Sequence, residues 1–247
     1  MADVQLLGAR QEDRGYSRIG GITPGLAQAY LGQPPDLFAG LSDDERRLAL
    51  AVGRVREFPH NGLVFGQGAH HEYVFVVQSG IVRTFYTAPN GREITLAYWQ
   101  VGNLVGTPEV LGSGVHQWSG IAVGQTEALA FRSCELRSLI ERIPALAIGM
   151  IEALEFKGKC FSIIVQMLGT MNVSERLIQL LRTLKEVYGV VDGDTVVIKA
   201  PFTHEAIARM VGASRQWVTT ELNNLQARGL VRLGKRSLII LRPDLIP

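Results

Sequence analysis

The sequence predicts an α+β chain: a barrel or sandwich of short β-strands, then one long helix, then a basic C-terminal third of short helices closed by a hairpin. Three observations carry this reading. Short runs rich in Val, Ile, Phe and Tyr recur between turn signals from Leu63 to Phe131, which is the pattern of a small all-β domain. Strand signals then cease, and apolar residues recur at alternating intervals of four and three from Met150 to Met171. Finally the charge changes sign: after Asn172 there are eleven Lys and Arg against seven Asp and Glu, a net of +4, whereas the preceding part carries −2. An excess of cations confined to one end suits a surface that meets a polyanion.

Composition limits the classes open to the chain. At 247 residues two domains of ordinary size are expected. With 47% hydrophobic and 19% charged residues the chain can bury real cores, so disorder is not the default. No apolar run approaches the roughly 20 residues that cross a bilayer. The start, Met1 to Arg10, lacks a basic flank followed by an apolar core. The expectation is a soluble cytoplasmic protein without a membrane partner. Cys134 and Cys160 are the only cysteines. Two thiols far apart supply neither a disulfide framework nor a four-cysteine metal site, and they read as reduced core or surface residues, with a redox switch as the alternative.

Along the chain, residues 1–35 contain Gly20-Gly21, Pro24-Gly25 and Pro34-Pro35 without a sustained period, and read as an N-terminal extension. Residues 36–143 form the β domain, 144–171 the long helix and 172–247 the C-terminal domain. A helical pattern from Asp36 to Val55 has Ser42 as N-cap, with Asp43, Asp44 and Glu45 placed for the helix dipole. Strands are expected at Leu63–Phe65, Tyr73–Gln78, Ile81–Tyr86, Glu93–Trp99 and Gly120–Phe131. Between them fall turns at Asn61-Gly62, Gly66-Gln67-Gly68, Ser79-Gly80, Asn90-Gly91, Gly102-Asn103 and Gly112 to Gly114. In the long helix Met150, Leu154, Lys157, Phe161, Ile164, Leu168 and Met171 form one seam, which calls for a partner helix from a second copy. The alternative is packing on the chain's own barrel. Lys157 interrupts the seam, either to set register or to reach solvent.

The most informative segment runs from Phe202 to Val231. Thr203 can cap a short helix whose buried side is Ala206, Ile207 and Met210; Gly212 permits a tight turn; Ser214 caps a second helix that turns Val218, Leu222 and Leu225 inward. Two short helices around a glycine turn fit a helix-turn-helix, in which the N-terminal residues of the second helix face base edges in the major groove. Here those residues are Arg215, Gln216 and, about a turn later, Thr219 and Thr220, with Trp217 between them. Arginine pairs bidentately with guanine, glutamine with adenine, and a threonine methyl meets the thymine methyl. The strands Leu230–Leu233 and Ser237–Leu241 flank Gly234-Lys235-Arg236, a basic tip shaped to lie on phosphates as a wing.

In this order of parts the chain resembles the Crp/Fnr family of bacterial regulators, over roughly Asp36 to the C-terminus. The resemblance rests on Glu205, Ile207, Ala208, Val211-Gly212, Ser214-Arg215 and Leu225. It extends to the barrel through Phe65-Gly66-Gln67-Gly68, Tyr73 to Gly80 and Asn90-Gly91-Arg92-Glu93. It implies a double-stranded β-helix (jelly-roll-like) barrel that senses an effector, a homodimer paired through the long helix, and a winged helix-turn-helix on double-stranded DNA. RNA polymerase becomes a partner if the protein is an activator. The recognition helix departs from the catabolite-activator version, which begins Arg-Glu; Gln216 replaces the acid that makes the usual cytosine contact, which leaves the half-site open.

The effector region departs further. Cyclic-AMP binders of the family carry a Gly-Glu pair and then an Arg-Ser pair, because a buried phosphate needs a charged donor. The corresponding stretches here are Gly106-Thr107-Pro108-Glu109 and Val115-His116-Gln117-Trp118-Ser119-Gly120, without arginine. Arg132-Ser133 follows the last strand and reads as surface. Cyclic AMP is not expected as effector. Nor is an iron–sulfur cluster, for want of cysteines. Haem through His60, His70, His71 or His116 stays as an alternative. Tyr98, Trp99, Thr107, His116, Trp118, Phe161 and Ser162 are the candidate lining of a small-molecule pocket. A cupin-like metalloenzyme is the distant rival. It fails because His70-His71, the only close histidine pair, points to opposite faces of a strand, and because no phosphate loop or serine elbow is present.

Overall fold

A computed structural model describes residues 34–106, 114–198, 203–234 and 238–241. Residues 1–33, Thr107, most of the Gly112 to Gly114 turn and the hairpin-tip residues Lys235 and Arg236 lie outside the described residues.

Helix α1 (Asp43–Val52) starts as its sequence requires. Glu45 N donates to Ser42 Oγ at 3.4 Å and Ser42 N donates to Glu45 Oε2 at 2.9 Å, a capping box that satisfies two otherwise orphaned donors. The chain then becomes β1 (Arg54–Phe58) rather than continuing the helix to Val55, because all five residues pair antiparallel with the strand running from Thr126 to Arg132. Next come β2 (Leu63–Phe65), β3 (Tyr73–Ser79), β4 (Val82–Thr87), β5 (Glu93–Trp99), β6 (Leu104–Val105), β7 (Ser119–Ala122) and β8 (Thr126–Arg132). They form two antiparallel four-stranded sheets, ordered β1-β8-β3-β6 and β2-β7-β4-β5, the jelly-roll arrangement. The single strand expected over Gly120–Phe131 is two strands in different sheets, with Gly124 at φ +83° between them. Nearby, Gly80 at φ +77° lies so close to this corner that a Cβ would stand 2.4 Å from the Gln125 carbonyl oxygen; only glycine fits.

Strands β3 and β8 are buried on both faces, and the period of two decides which side chain goes where. Phe75, Val77, Ala128 and Ala130 point between the sheets, with Val82, Ala97 and Trp99. Val74, Val76, Leu129 and Phe131 point the other way, onto α2 (Ser133–Arg142) and the first half of α3 (Pro144–Thr170), where Leu136, Leu139, Leu146 and Met150 meet them.

Helix α3 has 27 residues, opens with Pro144 in its first turn and is apolar on much of its circumference. Met150, Ala153, Phe156, Lys157, Cys160, Ile164 and Met167 are buried within their own chain. Exposed instead are Ile148, Ile151, Val165 and Leu168, at 57%, 60%, 69% and 44%. The expected seam is therefore corrected by one residue at alternate positions. Leu154, Phe161 and Leu168 remain partly or wholly open, but Met150, Lys157 and Ile164 are covered. The open stripe reads Ile151, Leu154, Gly158, Phe161, Val165 and Leu168, again at intervals of three and four.

Beyond α3, helix α4 (Val173–Tyr188) begins with a second capping box between Asn172 and Glu175. The hairpin β9 (Gly189–Asp192) and β10 (Thr195–Ile198) then leads to α5 (His204–Val211), α6 (Arg215–Ala227), β11 (Val231–Leu233) and β12 (Leu238–Ile240). The four strands form a sheet ordered β11-β12-β10-β9.

Lys157 does not reach solvent. Its ammonium is buried, 5.2 Å from the centroid of the Trp99 ring. Loss of water pushes its pKa down to about 8 from 10.5, against the pull of Cys160. Between those two values the unfolded chain holds the proton and the folded chain does not, so folding gains stability as the pH rises through the interval. We expect stability to increase by at most about 3 kcal/mol between pH 8 and pH 10.5, relative to a Lys157→Met variant. Urea unfolding at several pH values measures the difference; parallel curves for the two proteins contradict the assignment.

Candidate functional site

The C-terminal domain presents its reading helix by local rules. Thr203 Oγ1 accepts from Ala206 N at 3.0 Å to start α5, and Gly212 ends it in the left-handed region at φ +66°. Two residues later Ser214 Oγ accepts from Trp217 N at 3.1 Å and starts α6. One face of α6 is fixed in the core by Val218, Leu222 and Leu225, packed with Ile207, Met210 and Val211 of α5. That burial leaves Arg215, Gln216 and Thr220 exposed along the opposite side.

Two neighbours are engaged within the protein. Thr219 shares its hydroxyl with His204 Nδ1 at 2.9 Å and donates to the Arg215 carbonyl, also at 2.9 Å, which ties α6 to the start of α5. Trp217 is half-buried against the same core, beside Arg92 and Val173. Thr203 and Ser214 are exposed at the two helix starts, where backbone N–H groups and a helix dipole favour phosphate.

A buried cation holds this domain to the long helix. Arg176 on α4 donates from Nε to the Val211 carbonyl at 2.8 Å and from Nη1 to the Met171 carbonyl at 2.8 Å. Both acceptors lie at helix C-termini, whose carbonyls need partners. Burial, reinforced by the charge of Arg92, pulls the Arg176 pKa down from its usual value.

The barrel also reaches the reading domain. Ile81 and Tyr98 belong to the same hydrophobic core as α5 and α6. Glu93 on β5 pairs with Arg83 at 2.9 Å and with Arg209 of α5 at 3.2 Å. A cleft between the β4–β5 turn and α6 is bounded by Arg92 and Glu93 on one side and by Ser214 and Arg215 on the other.

The expected effector lining is only partly brought together. Trp99 points into the barrel, its Nε1 donating to Thr84 Oγ1 at 3.0 Å, and it meets Phe156 edge to face at 6.5 Å. Trp118 and Phe161 meet edge to face at 5.3 Å. His116 stacks on Phe65 at 4.4 Å and stands 4.9 Å from the ring of His71. Burial, and the neighbouring His71, push its pKa down to about 4, so it is neutral at pH 7.

Two expected members lie elsewhere. Tyr98 alternates with Trp99 on β5 and faces outward under α5, where desolvation raises its pKa. Ser162 is exposed and donates to the Gly158 carbonyl at 3.0 Å, away from the barrel interior. Sequence reasoning missed Arg83, buried on β4 and donating to Thr95 Oγ1 and Glu93. The signal was its place as the one charged residue in the strand Val82–Thr87. Arg132, by contrast, is exposed and reaches the Tyr73 hydroxyl, in keeping with a surface position.

Comparison with known proteins agrees with this geometry. The cyclic nucleotide-binding domain model matches residues 55–143 and the Crp-like helix-turn-helix domain model matches residues 175–245. The chain is thus a DNA-binding transcription regulator, with an effector-binding type of barrel ahead of a helix-turn-helix. The "Cyclic AMP receptor protein" of Thermus thermophilus is 31% identical over 199 residues, covering 80% of this chain and 88% of that protein. The chain belongs to the Crp/Fnr family. Among solved structures, the c-di-GMP-responsive regulator CLP of Xanthomonas campestris superposes with a TM-score of 0.72 at 21% identity, covering 81% of this chain and 99% of that one. CprK complexed with OCPA gives 0.69 at 19%, covering 92% and 97%. At these identities the structures speak for the fold.

The Arg176 contacts generate a prediction. Hydrogen bonds from a charged group contribute about 1.5–3 kcal/mol, so Arg176→Met should speed amide exchange in α5 by roughly 10- to 150-fold while leaving β3 unchanged. Hydrogen exchange read by mass spectrometry measures this; unchanged protection of α5 means the contacts hold nothing.

Proposed function

We propose that two copies of this chain pair through the open stripe of α3 and read an inverted-repeat DNA site, under the control of a small molecule bound in the barrel. The observation that carries the reading is the start of α6, where Arg215 and Gln216 stand exposed ahead of a face locked by Val218, Leu222 and Leu225. Docked by its N-terminal end, such a helix offers arginine to guanine and glutamine to adenine. On this reading Thr220 meets a thymine methyl and Thr203 and Ser214 hold phosphates, as do Lys235 and Arg236, which lie outside the described residues. Trp217 and Thr219 then support the helix rather than read bases. Pairing two such helices about one helical turn apart accounts for an inverted repeat.

The dimer is supported by the apolar stripe Ile151, Leu154, Gly158, Phe161, Val165 and Leu168, which would otherwise stay in water. A regulator of this design works in the cytoplasm, and as an activator it would also touch RNA polymerase. The relatives that the chain matches are transcription regulators, which supports a role other than catalysis.

The effector, on this reading, is not a cyclic nucleotide. Arg83, the buried arginine of the barrel strands, is committed to Thr95 and Glu93 and points away from Trp99, so it gives no bidentate donor to a phosphate between the sheets. Calorimetric titration with cyclic AMP and cyclic GMP should show binding weaker than about 10 μM, roughly −7 kcal/mol. Tighter binding of either nucleotide contradicts this.

The DNA assignment has a separate test. Arg215→Ala should cost on the order of 1–3 kcal/mol on a selected site and little on scrambled DNA. Lys235→Ala should weaken both and lower the salt slope by about one. Fluorescence anisotropy at several salt concentrations separates the two roles. Equal weakening of both DNAs by Arg215→Ala removes its base-reading role, and a wild type without sequence preference overturns the regulator reading.

A further inference from the structure

Hydrogen bonds at the start of α6 fix which nitrogen of His204 carries hydrogen. Thr219 Oγ1 donates to the Arg215 carbonyl at 2.9 Å, the usual back-bond of a threonine within a helix. A hydroxyl has one proton, so the 2.9 Å contact between the same oxygen and His204 Nδ1 makes the ring the donor. In the neutral ring Nε2 is then a bare acceptor. His204 is half-buried, and among the described residues no hydrogen bond reaches Nε2.

The ring stands at one flank of the reading helix. At about 100° per residue, Val218, Leu222 and Leu225 define the inward side of α6, and the exposed Gln216, Thr220 and Asn223 stand opposite. Thr219 lies about 60° round from Gln216, toward Arg215, and the hydrogen bond from His204 arrives on that flank. A helix with its side chains is about 10–12 Å across and fills a major groove about 12 Å wide. Its outward side therefore meets bases and its flanks meet the sugar–phosphate walls. An acceptor lone pair set against a phosphate oxygen is repulsive, whereas an imidazolium N–H makes a charge-assisted hydrogen bond.

We propose that His204 holds a DNA backbone phosphate through Nε2, and does so only as the imidazolium, so that each copy of the chain takes up a proton when it binds DNA. The proposal rests on the DNA-reading assignment above and adds a contact to it. Nδ1–H stays on Thr219 in both states, so the ring need not turn: a proton gained at Nε2 converts its open acceptor into a donor. The negative charge of the phosphate favours that protonated ring.

The charged groups of the surrounding elements are engaged elsewhere or point to no competitor. On α5 itself, Glu205 pairs with Arg209 at 3.1 Å, and Glu93 of β5 joins the same guanidinium at 3.2 Å. On α6 the charges are Arg215 and Glu221, and Glu221 accepts from Asn224. Arg176 of α4 is bound at the far end of α5, on the Val211 carbonyl, and β10 carries no charged residue. Among the described residues no ion pair joins His204 to any of them. The other four histidines, at positions 60, 70, 71 and 116, all belong to the barrel.

Fluorescence anisotropy of the full-length protein on a selected and a scrambled duplex, at pH 6, 7 and 8 and constant ionic strength, tests the assignment. If DNA favours the charged ring about ten-fold at each of two copies, binding should weaken by roughly 10- to 50-fold from pH 6 to pH 8. Phosphate is common to all sequences, so the scrambled duplex at low salt should show the same linkage. The salt slope should be steeper at pH 6 than at pH 8 by about one to two. His204→Gln keeps an amide donor for Thr219 without the charge, and should bind at pH 6 about as weakly as the wild type does at pH 8, with a flat profile. His204→Lys carries its charge throughout, and should bind at pH 8 about as tightly as the wild type at pH 6. Circular dichroism confirms that each variant is folded, and His204→Lys covers the case in which His204→Gln is not. A wild type with no pH dependence overturns the proposal, as does a His204→Gln or His204→Lys protein that keeps the wild-type profile or loses affinity equally at every pH. Sequence preference retained without proton linkage removes the His204 contact alone, and loss of sequence preference in the wild type removes the regulator reading.

Discussion

Helix α3 divides its circumference between two demands, and the division constrains the rest of the molecule. One side packs Leu146, Met150 and Ala153 on the outer face of the β1-β8-β3-β6 sheet and Phe156 and Cys160 on the residues between the sheets. With that side fixed, the rotation of the helix is fixed, and so is the set of residues left in water: Ile151, Gly158, Val165 and Leu168, with Leu154 and Phe161 half-covered beside them. Burying a Leu, Val or Phe side chain contributes roughly 1.5–3 kcal/mol, so such a stripe is a costly surface unless something covers it. The small Gly158 in its middle lets another backbone come close.

The same helix ends where the reading domain begins. Met171 ends α3 and gives its carbonyl to Arg176, which also holds the end of α5. From the other side, Tyr98 and Ile81 of the barrel enter the core that positions α5 and α6. The Glu93–Arg209 pair is partly exposed and contributes at most about 1 kcal/mol; its part is orientation more than strength. The barrel and its long helix thus meet the domain that carries Arg215 at two places, one at the end of α3 and one at β5. Packed side chains line both contacts.

How much of this the sequence disclosed depended on whether the signal was local. The helix-turn-helix was legible because Thr203, Gly212 and Ser214 act through bonds to residues three or four positions away, and because Val218, Leu222 and Leu225 mark a single buried face. The strand β1 was not. Arg54-Val55-Arg56-Glu57-Phe58 has no apolar alternation, and it is held in a sheet by a partner more than 60 residues away. The two residues of β6 are too few to show a period.

The seam on α3 failed for a different reason. A helix apolar on two sides gives the same three–four spacing in registers one residue apart, and only the packing of Phe156 and Cys160 shows which side the barrel takes. Lys157 misled in the same way, since a lysine reads as exposed until its neighbours are known. Tyr98 and Trp99 were read as lining one pocket, yet adjacent strand residues face opposite ways. The period of two was available there and decides against it.

Cysteine cross-linking across the proposed pair tests the division of α3 most directly. In a Cys134→Ser, Cys160→Ala background, Val165→Cys should form an intermolecular disulfide under mild oxidation, because stripe positions of paired helices bring their Cβ atoms within reach of one bond. Ile164→Cys, one residue along and buried in its own chain, should stay reduced. Cross-linking through Ile164→Cys with none through Val165→Cys would contradict the account, since the helix would then offer its other face to the second copy.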